Sequence, residues 1–125
     1  MEIADEALVT KVLGLVIEVH RFLGPGLLES IYENALVYEL TAERIEYERQ
    51  VAVPVKYKTT TLGIGFRADL IIEKSIVLEL KTVEQFMAIH TAQLITYLKL
   101  TNIKRGYLIN FNTMLMKNGI KRISI

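Results

Sequence analysis

The chain has 125 residues, 51% of them hydrophobic, which is enough for one domain with its own core and too few for two. Fifteen Lys and Arg against fourteen Asp and Glu leave a net charge of +1, which neither requires nor forbids a nucleic-acid partner, because a binding groove needs local charge. The absence of cysteine excludes disulfides, thiolate metal sites and a cysteine nucleophile, and it fits a cytoplasmic protein.

The N-terminal stretch MEIADEALVTKVLGLVIEVHRFLG opens with acidic residues and carries Glu18 inside its apolar run, so neither a signal peptide nor a membrane span is expected. Leu8, Val12, Leu15, Val16, Val19 and Leu23 recur at helical spacing and predict a first helix over residues 4–22, stopped by Gly24-Pro25-Gly26. A second helix is expected from Gly26 to Glu43, its Leu28, Ile31, Ala35 and Leu36 turned inward against the first. The helical period then gives way to the alternation of strands. Val51, Val53, Val55 and Tyr57 form the first, and Pro54 marks it as an edge or bulged strand. Leu62, Ile64, Phe66, Ala68 and Leu70 form the second; Ile76, Leu78 and Leu80 form the third. Gly63 and Gly65 precede no helix, so they read as hairpin or bulge glycines rather than a phosphate loop. A helix over Glu84–Leu100 and strands at GYLINF and IKRISI complete the order ααβββαββ, a mixed α/β sandwich.

The segment RADLIIEKSIVLELK, residues 67–81, sets charges inside what should be buried strands. A charge in a low-dielectric core is costly unless it is paired or bound to something. The loop Glu73-Lys74-Ser75 requires an antiparallel hairpin. A loop centred on Lys74 places Asp69 directly opposite Glu79, with Lys81 on the Glu79 face, whereas an even-numbered loop sends Asp69 to the other face. Two facing carboxylates call either for an oxygen-preferring divalent cation or for an internal ion-pair cluster with Lys81 and Arg67. Glu29 falls in the first turn of the second helix, where the helix dipole alone would favour it. His90, Gln93 and Tyr97 form a polar stripe on the third helix, either facing a site or solvated. Arg67, Lys99, Lys104 and Arg105 are candidates for substrate contact or ordinary surface charges. The Tyr and Phe side chains are mostly assigned to the core, with Tyr32, on the Glu29 face, set apart.

GPGLLESIYENAL, with Gly26, Glu29 and Tyr32 in G-x-x-E-x-x-Y spacing, resembles the signature of the bacterial and archaeal GxxExxY protein family. The resemblance continues through YERQVAVPV, GFRADLIIE, VLELK, HTAQLITYLK and GYLINF, spanning nearly the whole chain. That family is assigned to the PD-(D/E)XK nuclease superfamily, which implies a restriction-endonuclease-like sandwich forming a single domain over residues 1–125. By the same resemblance Asp69 stands at the superfamily's Asp position and Glu79-Leu80-Lys81 at its (D/E)-x-K. Glu29 stands at the helical acidic position, and Gln93 and Tyr97 at a Q-x-x-x-Y element of the RecB-like branch. Ala68 replaces the proline of the superfamily pattern.

What the resemblance implies is hydrolysis of nucleic-acid phosphodiesters, DNA being the expected substrate, by a water activated by Mg²⁺ or Mn²⁺. Asp69, Glu79 and the Leu80 carbonyl would bind the ion, and Glu29 would reach it or a second one. Lys81 would orient the water or stabilise charge, Gln93 and Tyr97 would position Lys81 or a phosphate, and Arg67 would contact substrate. Sequence specificity would be weak, or supplied by a homodimer mate or another protein, with no membrane involved. The alternative is a non-catalytic nucleic-acid-binding or oligomerisation module that keeps the fold.

Overall fold

The computed structural model describes residues 5–125. The first helix, α1 (Glu6–Leu23), starts where the Asp5 carboxylate accepts the Ala7 N–H at 2.9 Å. The part of its predicted start at residue 4 lies outside the described residues. Val9, Val12, Val16 and Val19 form its buried stripe, and Gly24 ends it at φ +72°, donating its N–H to the His20 carbonyl.

The second helix, α2 (Glu29–Ala42), begins three residues later than Gly26. Tyr32 explains the delay. Its hydroxyl donates to the Gly24 carbonyl at 2.5 Å and accepts the Leu27 N–H at 3.2 Å, so the intervening residues are held as a turn. The inward set also differs from expectation: Tyr32, Glu33, Leu36 and Leu40 are buried, while Leu28 and Ile31 face solvent. Tyr32 stacks on Phe111 with ring centroids 4.4 Å apart, so it is a core residue and offers no face to a base.

Five strands follow: β1 (Tyr47–Tyr57), β2 (Thr60–Ile72), β3 (Ile76–Lys81), β4 (Arg105–Asn110) and β5 (Ile120–Ser124). They form one sheet in the order β1-β2-β3-β4-β5, antiparallel except for the β3–β4 pair. That parallel pair requires a crossover, supplied by α3 (Ala88–Thr101). A short 3₁₀ turn, Met116–Gly119, which the sequence pattern did not suggest, leads into β5. The helix α3 starts four residues after Glu84, where the His90 ring nitrogen Nδ1 accepts the Met87 N–H at 3.0 Å.

Alternation in the strands feeds two apolar layers. Leu70, Ile72, Ile76, Leu78 and Leu80 pack under α1 and α2, while Ile71, Val77 and Leu108 pack against Leu94 and Leu98 of α3. This is a sheet covered on both faces by helices, the restriction-endonuclease-like architecture. Two assignments made from the sequence are corrected here. Phe22, Tyr38 and Tyr57 are exposed rather than core. Arg105 is buried and ion-paired with Glu6, because β4 lies inside the sheet, so it is unavailable to a substrate.

Candidate active site

The β2–β3 hairpin turns on Glu73 and Lys74, both at positive φ, and pairs Ile72 with Ile76, Ile71 with Val77 and Leu70 with Leu78. This is the register of a loop centred on Lys74. The next pair along would be Asp69 and Glu79, but the ladder stops before it. Instead the Asp69 N–H donates to Glu79 Oε2 at 2.9 Å, and the Leu80 N–H donates to Asp69 Oδ2 at 2.8 Å. Each carboxylate therefore caps the opposite strand in place of a backbone carbonyl, and the two strands part there.

The neighbouring strand has an irregularity at the same level. Arg49 pairs with Leu70 and Val51 with Ala68, but Gln50 and Asp69 between them do not pair. Gln50 has φ +50°, a left-handed conformation that costs about 1–2 kcal/mol in a non-glycine residue. Across this point both strands slip phase: Ala68 and Val51 join the α3 layer, although strict alternation from Leu70 and Tyr47 would put them elsewhere. The slip takes Asp69 off the ladder and frees its carboxylate to reach β3.

Glu33 holds the irregularity in place. Buried on α2, it takes a forked hydrogen bond from Arg49 at 3.1 and 2.9 Å on Oε2, and the Gln50 amide at 2.8 Å on Oε1. The same Gln50 nitrogen lies 3.4 Å from Asp69 Oδ1. Glu33, Arg49 and Gln50 were not singled out from the sequence. They lie in the stretches GPGLLESIYENAL and YERQVAVPV, but nothing in their spacing links them, and only the positioning of α2 across β1 brings them together.

Among the described residues no cation lies within ion-pair distance of the acids at the fork. Glu79 is buried, and burial first and the Asp69 charge second push its carboxyl up to about 8. Asp69 is raised mainly by burial, against the opposing effect of the Leu80 N–H. Glu29, exposed in the first turn of α2, is raised by partial loss of hydration and then by the Asp69 charge. Among the described residues neither Asp69 nor Glu79 makes an ion pair, so the cluster with Lys81 and Arg67 considered from the sequence does not form. Lys81 is half-buried, and its charge is felt at Glu29, Asp69 and Glu79.

From the other layer, Tyr97 stacks on Phe66 at 3.7 Å between ring centroids, and its hydroxyl is raised by burial and by the charges of Glu79 and Asp69. Gln93 and Arg67 are exposed. His90 is spent on the start of α3. The fork thus draws Asp69, Glu79, Lys81, Glu29 and Tyr97 into one electrostatic neighbourhood.

Residues 6–123 match the family model of the PD-(D/E)XK nuclease superfamily. The chain belongs to that superfamily. This PD-(D/E)XK domain is also similar to the crystal structure of SSO0001, at 26% identity and a TM-score of 0.55 over 76% of its own residues. It spans 48% of that protein's chain, so about half the length of the relative lies outside the comparison. No curated protein matches the chain. PD-(D/E)XK nucleases generally use divalent metals such as Mg²⁺. Among the described residues no three Asp, Glu or His side chains converge into a set that holds a metal unaided. The donors present still fit a hard cation of this kind. Such ions take one or two carboxylates and keep several waters, and Asp69 and Glu79 are oxygen donors without a counter-ion. No helix among the described residues is long and apolar enough to cross a membrane.

Proposed function

We propose that this PD-(D/E)XK domain is a cytoplasmic Mg²⁺- or Mn²⁺-dependent nuclease of the GxxExxY family that hydrolyses DNA phosphodiesters. One observation carries the reading. Two carboxylates, each with one oxygen fixed by a backbone N–H and neither paired to a cation, converge where β2 leaves β3. Asp69 Oδ1, Glu79 Oε1 and the Leu80 carbonyl are the oxygens that would hold the ion, with Glu29 alongside. The ion, when bound, would supply a lowered pKa for water and a positive charge for the phosphate.

The remaining roles belong to the chain. The backbone N–H groups of Asp69 and Leu80 orient the two carboxylates before anything binds, so little reorganisation is needed. Lys81, on the Glu79 face, places an ammonium beside the acids, where it can stabilise charge developing on phosphate oxygens. Tyr97 closes the α3 side over Phe66 and, with Gln93 one turn earlier, positions Lys81 or a phosphate. Arg67, exposed at the mouth, contacts the phosphate backbone.

The test is cleavage of labelled DNA with each metal in turn. Wild type should cut, and Lys81→Ala should lose at least about a hundredfold in rate while still binding Mn²⁺. Equal rates in the two proteins would remove Lys81 from the chemistry. A second reading, a binding module without turnover, is favoured by the lack of any three-residue ligand set among the described residues. It predicts DNA binding with no saturable metal site.

A further inference from the structure

Residues Thr60–Ala68 of β2 have ladder partners only on β1, because β3 pairs no further than Leu70. The far half of the β1–β2 hairpin therefore runs past the edge of β3 as a two-stranded arm, its base packed on α3 through Val51, Phe66 and Ala68. At about 3.3 Å per residue it overhangs the carboxylate fork by up to roughly 30 Å. It leaves the sheet at the same point as the fork, so whatever occupies the site lies along its flank.

The composition of the arm is one-sided. Residues 50–68 contain Lys56, Lys58 and Arg67 and no acid, in a chain whose net charge is only +1. Among the described residues none of these cations forms an ion pair, whereas Arg21, Arg49, Arg105 and Arg122 all do. Lys56 and Thr61 on the arm and Lys99 on α3 line one groove of about 390 Å³, with Pro54 and Leu100 between them. Exposed Thr59, Thr60 and Thr61 add hydroxyl donors beside the lysines.

We propose that the β1–β2 arm is the duplex-binding element of this protein, with Lys56, Lys58 and Lys99 taking the phosphate backbone of double-stranded DNA that extends from the carboxylate fork. The placement of the scissile bond rests on the nuclease reading; the binding does not. A two-stranded ribbon is a width that the B-form major groove admits, about 12 Å, whereas the A-form major groove of RNA is too narrow. Single strands are bound by free aromatic faces. The arm lacks the run of free faces that successive bases need: Phe66 is stacked on Tyr97, and the exposed Tyr57 has the Lys58 ammonium 5.3 Å over one face of its ring. A second copy of the chain is a poor occupant, since two acid-free basic arms repel. Pro54 and register shifts at Val53/Pro54 and Val55/Lys56 also spoil the outer edge for strand pairing.

The experiment is fluorescence anisotropy of the full chain with a labelled 20-base-pair DNA duplex in EDTA, so that no cleavage intervenes, over a range of salt. Lys56→Ala/Lys58→Ala should weaken duplex binding by about tenfold or more and lower the salt slope by about two, with Lys117→Ala unchanged. Lys99→Ala should lower the slope by about one. An unchanged slope in the double variant, with its melting temperature intact, overturns the proposal. So does tighter binding of a single strand of equal length, or a wild-type dimer that the double variant dissolves. Mn²⁺ binding measured in parallel separates the two readings. Duplex binding by the arm without a metal site sinks the nuclease and keeps the arm; a metal site with indifferent lysines does the reverse.

Discussion

Gln50 shows how a single residue shapes the fork. Its left-handed backbone and its amide, set between Glu33 and Asp69, account for the phase slip that frees the Asp69 carboxylate. Gln50→Ala removes the amide but keeps a Cβ at positive φ, while Gln50→Gly removes both amide and strain. The glycine variant should therefore be the more stable of the two, by about 1 kcal/mol in urea denaturation. Equal stabilities would mean that the left-handed turn stores no strain. Glu79 sets the pH behaviour of the metal-free protein. Its folded pKa, raised from 4.5 to about 8, means that the native state holds a proton that the unfolded chain has released between those values. Stability should then fall as pH rises through that window and level off above it, and Asp69 and Glu29, also raised, add to the same slope. Melting temperatures in EDTA should drop between pH 5 and pH 8, and Glu79→Gln should flatten the fall. A rise over that range would contradict the burial of an unpaired acid.

At the scale of elements, the sequence left the hairpin register open between an odd and an even loop, because β3 is buried on both faces, and the structure has the odd loop centred on Lys74. What alternation could not convey is that the ladder ends one pair short and that side chains take over from backbone. That depends on Gln50 and Glu33, remote in sequence and without a periodic signature. The start of α2 differs from the pattern for a related reason, since the tie from Tyr32 to Gly24 and Leu27 is a tertiary bond inside an otherwise helical stretch. The same tie gives the tyrosine of G-x-x-E-x-x-Y a structural role, because it fixes the turn that sets Glu29 at the first position of α2. Tyr32→Phe keeps the stack on Phe111 but leaves both bonds unmade, and should cost about 1–2 kcal/mol in thermal or urea unfolding. No loss would show that the stack alone holds the turn. Gly106 answers for the other layer. A Cβ there would lie 3.0 Å from Leu94 and 3.2 Å from Leu98, so Gly106→Val should lift α3 and destabilise by about 1–3 kcal/mol.

For the molecule as a whole, the charged stretch that looked misplaced in a buried hairpin is the fork itself. A helix pair on one face and α3 on the other supply Glu29 and Tyr97 to the same carboxylates, and a basic arm projects from the point where the strands part. Fold class and the positions of Asp69, Glu79 and Lys81 were readable from patterning and family resemblance. The supporting network, the burial of Arg105 and the basic arm beyond β3 needed the three-dimensional pairing. On the proposed reading, Asp69 and Glu79 remain without an ion-pair partner so that a divalent ion can take that place. Calorimetry with Mn²⁺ at pH 8 tests it most directly, comparing wild type with Asp69→Ala, Glu79→Ala and Lys117→Ala. Saturable binding in wild type and Lys117→Ala, lost in both carboxylate variants while they stay folded, is the predicted result. No binding by folded wild type at millimolar Mn²⁺ would contradict it.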